Sequence, residues 1–161
     1  MYHHSDDFSK KLIKGGIAEM VFERMFAEAG GYLVIPFGYE KTVNILTQIN
    51  KDREAFSNIT SMPDYVLVDR EKEEVGYIVE VRYKSKKIYQ TIQKEAREIK
   101  EKGWKKVWYF LATPEGFYLA RCTDLIDNPE IIEKQKLPVT MVGQEIQEKF
   151  LKLLNDFEAD H

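Results

Sequence analysis

Cysteine is almost missing: Cys122 is the only one in 161 residues. That excludes an intramolecular disulfide, a cysteine-built zinc site and an iron–sulfur cluster. A lone cysteine of this kind is expected as a small core residue. Histidine is nearly as scarce. His3 and His4 stand at the start of the chain and His161 at its end, positions that do not assemble a zinc site or a catalytic triad. No run approaches the roughly eighteen consecutive apolar residues of a membrane span, and the first seven residues hold no signal-like apolar stretch. The expectation is a cytoplasmic protein with no membrane contact. Internal repeats and low-complexity linkers are absent, and Lys14-Gly15-Gly16 lacks the spacing of a phosphate-binding loop.

What is present suits one ordinary domain over residues 1–161, since 43% hydrophobic and 12% aromatic content builds a real core. The net charge of −3 argues against bulk attraction to nucleic acid. The average hides a patch. Residues 82–106 hold ten basic side chains against three acidic ones, Glu95, Glu98 and Glu101, which makes the segment about +7 and leaves about −10 elsewhere. Such a stretch either solvates a helix, with those glutamates pairing to lysines at helical spacing, or faces a polyanion.

Periodicity organises the chain. Leu12, Ile13, Ile17, Met20, Val21, Met25 and Phe26 recur at three- and four-residue steps and predict a helix over 8–29, loosened at Gly15-Gly16 and stopped by Gly30-Gly31. A strand follows at 32–39, bent or at an edge because of Pro36 and Gly38. The stretch 41–60 reads as a short helix or extended loop. Runs at 64–69 and 76–83, joined by the charged turn 70–74, predict a hairpin. Ile88, Ile92, Ala96 and Ile99 mark an amphipathic helix over 87–102, ended by Gly103. Strands at 107–112 and 117–121 join through Thr113-Pro-Glu-Gly116, and 144–157 closes as a helix through Ile146, Phe150, Leu153 and Leu154. Trp104, Trp108, Tyr109 and Phe110 read as core aromatics rather than as a base-stacking platform. The order implies a mixed sheet flanked by helices.

Three acids stand out once the elements are placed: Glu19 in the first helix, Asp64 opening a strand after Pro63, and Glu80 inside the next strand. Alternation sends Glu80, Arg82 and Lys84 to one face and Val79, Val81 and Tyr83 to the other. A carboxylate between apolar neighbours is costly to bury unless it is paired or binds a cation. Asp64 and Glu80 can converge from adjacent strands as a hard-oxygen site suited to Mg2+ or Mn2+. Such an ion acidifies a water and neutralises a phosphate, while Arg or Lys alongside stabilises the charge of the transition state.

Met62-Pro63-Asp64 followed by Glu80-Val81-Arg82 resembles the signature of the PD-(D/E)xK nuclease superfamily. Gly16-Ile17-Ala18-Glu19 is similar to the upstream helical glutamate of many members. The match spans about 12–112, and residues 113–161 form an extension outside it. The resemblance implies a restriction endonuclease-like α/β (α+β) fold with an α-β-β-β-α-β core. It also implies metal ligation by Asp64 and Glu80, with the backbone carbonyl of Val81 as a third oxygen and Glu19 as accessory ligand. Lys86, Lys87, Gln90, Gln93 and Lys94 would contact nucleic acid. The expected activity is Mg2+-dependent hydrolysis of phosphodiester bonds in nucleic acid, DNA or RNA, with a DNA endonuclease as the leading expectation and a homodimer through the last helix as one assembly.

The departure is Arg82, which stands where the family has lysine. Arginine stays charged at any working pH, so it stabilises an anion but serves poorly as a base. Either Lys84 supplies the ammonium, or the metal activates water while Arg82 holds the phosphate, or the domain binds nucleic acid or assembles with protein without cutting. In the plainest alternative, Asp64 is a turn residue, Glu80 pairs with a lysine and Glu19 faces solvent.

Overall fold

The structure, a computed structural model, describes residues 2–37, 63–103 and 106–160, with side chains described from residue 14 to residue 159 within them. The elements are α1 (Tyr2–Ala29), β1 (Tyr32–Pro36), β2 (Tyr65–Asp69), β3 (Glu74–Tyr83), α2 (Tyr89–Glu101), β4 (Val107–Thr113), β5 (Gly116–Arg121), α3 (Cys122–Asp127), a 3-10 helix (Pro129–Lys134) and α4 (Gln144–Asp160). The five strands lie in sequence order. The pairs β1–β2, β2–β3 and β4–β5 are antiparallel and β3–β4 is parallel. A parallel pair needs a crossover, and α2 provides it. The chain is therefore an α/β fold, a mixed sheet packed with helices.

Alternation along the strands divides the core in two. Val79, Val81, Phe110 and Ala112 meet Phe22 and Phe26 of α1 and Phe150 and Leu154 of α4. Tyr109 and Leu111, on the other face, meet Ile92, Ala96 and Ile99 of α2 and Leu125 of α3. Cys122 is buried there as expected, and burial pushes its thiol up to about 12. The apolar stripe of α4 is turned inward through Ile146, Phe150 and Leu154, with Leu153 left exposed. Among the described residues no helix is long and apolar enough to cross a membrane.

Several boundaries differ from expectation. Helix α1 begins at Tyr2 and runs unbroken through Gly15-Gly16; the cost of about 1 kcal/mol per glycine is offset by packing of the turns that follow. Gly30 at φ 80° and Gly103 at φ 93° end α1 and α2 in the left-handed conformation that glycine tolerates. The first strand stops at Pro36. Its expected end at 38–39, the stretch 41–60, Met62, Trp104, Lys105 and His161 lie outside the described residues, as do the side chains of His3, His4, Leu12 and Ile13. The hairpin turn closes because Asp69 Oδ1 accepts from the backbone N–H groups of Glu71 (2.9 Å) and Lys72 (3.1 Å). Helix α3 and the 3-10 helix were not anticipated, being six residues each and too short to show a period.

Candidate functional site

The site lies just ahead of the first residue of β2. The last pairing between β2 and β3 is Tyr65 with Val79, yet β3 continues to Tyr83. Beyond that pairing the Asp64 side chain takes over from the missing backbone: its Oδ2 accepts the Val81 N–H at 2.9 Å. The Asp64 backbone carbonyl in turn accepts from Phe37 N at 2.8 Å, which ties this corner to the end of β1. Glu80, one residue back on β3, points to the α2 side and is only 3% exposed.

Arg82 returns along the same face and closes the arrangement. Its Nη1 lies 3.0 Å from Glu80 Oε2, 3.0 Å from the Val81 carbonyl oxygen and 3.6 Å from Asp64 Oδ2. Three oxygens from two strand ends therefore converge on one cationic nitrogen. The other oxygen of Glu80, Oε1, has Lys102 Nζ at 4.0 Å. Burial pushes the Glu80 carboxyl up to about 7, helped by the charge of Asp64 and a hydrogen bond with it and opposed by Arg82 and Lys102. Burial works against the charge of Arg82, but Glu80, Asp64 and Glu95 outweigh it and the guanidinium is held above its usual range.

Arg82 also lines an open groove of about 660 Å³ at the carboxyl end of β3, together with Lys14, Glu19, Lys84, Lys86 and Ile88. Glu19 thus faces the same groove. With Glu23 and Asp64 it surrounds the Tyr65 hydroxyl, whose pKa is raised first by burial and then by these charges. The other residues marked out in the sequence sit elsewhere. Lys87 donates to Glu133 Oε2 (2.8 Å) and the Tyr118 hydroxyl (3.0 Å). Gln93 Nε2 donates to the Ile126 carbonyl (2.7 Å), clamping α2 to α3. Gln90 and Lys94 are exposed on α2 and do not line the groove.

Sequence reasoning missed Glu95, which it read as a solvating charge on a lysine-rich helix. Glu95 pairs with Lys84, lies 3.7 Å from Arg82 Nε, and accepts from the hydroxyl of fully buried Tyr109 at 2.6 Å. A signal was present: residue 95 falls three after Ile92 and four before Ile99, on the apolar stripe of α2. Lys102 was counted only as part of the basic patch.

Asp64, Glu80 and the Val81 carbonyl carry the hard oxygens that could hold an ion of the Mg2+ kind; here those oxygens face Arg82 Nη1. Among the described residues no group of three His, Cys, Asp or Glu side chains gathers as metal ligands; Glu19 shares the groove with Arg82. Comparison of the chain with protein-family models, with curated proteins and with solved structures finds no match.

Proposed function

We propose that this chain is a metal-dependent phosphodiesterase acting on nucleic acid, with DNA as the substrate to test first, built on a restriction endonuclease-like sheet. The observation that carries the reading is the convergence of Asp64 Oδ2, Glu80 Oε2 and the Val81 carbonyl oxygen beside a groove lined by Lys14, Arg82, Lys84 and Lys86. Asp64 and Glu80 would hold Mg2+ or Mn2+ with the Val81 carbonyl. The chemistry such an ion supplies is neutralisation of phosphate charge and acidification of a water. Arg82 and Lys84 would grip the scissile phosphate and stabilise the charge that develops on it. Arg82 remains a cation throughout, so proton transfer does not pass through it. Lys86 and Lys14 would hold the flanking phosphates as point charges.

Incubating the protein with linear and circular DNA in Mg2+ or Mn2+ tests this. Cleavage that falls by about 10²–10³ in Asp64→Ala and in Glu80→Ala, with circular dichroism unchanged, is the expected result. Equal cleavage by both variants would end the reading. A second reading rests on one observation: the three oxygens already hold a guanidinium. On that reading the site is an internal ion pair and the groove binds nucleic acid without cutting. It predicts no cleavage with any divalent ion and DNA binding that weakens steeply with salt and is indifferent to chelator.

A further inference from the structure

The two readings differ over what Arg82 does when a divalent ion arrives, and its geometry bears on that directly. Nη1 occupies the point on which Glu80 Oε2, Val81 O and Asp64 Oδ2 converge. An ion coordinated at about 2.0–2.1 Å could not share that point with a nitrogen 3.0 Å from two of the same oxygens. The opposite edge of the guanidinium has a second station. Nε lies 3.7 Å from Glu95 Oε2, and that carboxylate is fixed by the buried Tyr109 hydroxyl. On its open side Arg82 borders the groove of about 660 Å³, so a displaced side chain has room to move.

We infer that Arg82 is the resident cation of the site: a divalent ion and Arg82 Nη1 compete for one oxygen set, and the displaced guanidinium turns into the groove, retained through Nε by Glu95. There it meets an incoming phosphate. This rests on the metal-binding reading above and adds an order of events to it. The oxygens are never left without a cation, which spares the cost of an unpaired buried carboxylate. Glu95 is a positioning residue in this scheme, acting through Arg82 and Lys84.

Calorimetric titration of Mn2+ into wild type, Arg82→Gln and Asp64→Asn provides the test. Removing the competing charge is expected to tighten Mn2+ binding by about ten-fold or more in Arg82→Gln, while Asp64→Asn loses it. Equal or weaker binding by Arg82→Gln, still abolished by Asp64→Asn, would overturn the competition and leave the metal site standing. Absence of saturable binding in both wild type and Arg82→Gln would overturn both. Should Arg82→Gln fail to fold, nitrogen NMR of the wild type decides. Its Arg82 Nε resonance is expected to move with Mg2+ and saturate with it; a resonance unmoved at saturating Mg2+ overturns the inference.

Discussion

Between the usual carboxyl pKa near 4.5 and the value of about 7 that Glu80 reaches in the fold, the native state keeps a proton that the unfolded chain has released. Stability therefore falls as pH rises through that window, by at most about 1.4 kcal/mol per pH unit. Urea unfolding in the presence of chelator should show this slope in wild type and its loss in Glu80→Gln, whereas parallel pH profiles would refute the assignment. Tyr109→Phe removes the hydroxyl that fixes Glu95 and is expected to cost about 1.5–3 kcal/mol in the same assay, as for hydrogen bonds to charged groups. Glu80 and Arg82 were legible because strand alternation places side chains by simple parity, and Asp64 because it follows Pro63 at the opening of a strand. Glu95 was passed over despite its place on the apolar stripe of α2, because a glutamate among lysines on a helix reads as solvation; Tyr109 reaches it from the neighbouring strand. Lys87 misled in the opposite way: a lysine in a basic run looks available, but this one is consumed by Glu133 and Tyr118.

At the scale of elements, α1 is held by Phe22, whose ring lies 4.8 Å from Phe26, 4.9 Å from Tyr65 and 4.9 Å from Phe110. Phe22→Ala should cost about 3–5 kcal/mol of stability and loosen the wall that carries Lys14 and Glu19; a loss under about 1 kcal/mol would contradict this packing. The segment between β3 and α2 divides its lysines between two tasks. Lys86 is exposed and lines the groove, while Lys87 ties the segment to the 3-10 helix. Salt titration of DNA affinity should therefore lose about one unit of slope in Lys86→Ala and keep it in Lys87→Ala. The reverse pattern would place the interface elsewhere. Most elements were readable from period alone, since Ile92, Ala96 and Ile99 or the alternating 76–83 admit one reading each. Helix α3 and the 3-10 helix were not, because six residues each hold at most two helical turns.

Across the whole molecule, charge and topology point to the same place. Strand β3 leads into the basic segment 82–106, and the acidic pair sits at the carboxyl end of β3, beyond the first residue of β2, where α1 and α2 form the walls. The register follows from Tyr65 pairing with Val79: it leaves the Val81 N–H without a strand partner, and Asp64 supplies one. The sequence brings the two carboxylates, Arg82 and the Val81 carbonyl to one region; the structure adds that Arg82 Nη1 sits on the oxygens of Glu80, Val81 and Asp64, at 3.0, 3.0 and 3.6 Å. The most direct test is the site's own occupancy. Crystals grown or soaked with Mn2+ should give an anomalous peak bounded by Asp64 Oδ2, Glu80 Oε2 and the Val81 carbonyl oxygen, with Arg82 turned toward Glu95. No peak there at saturating Mn2+, with Arg82 Nη1 still on the three oxygens, would contradict the account.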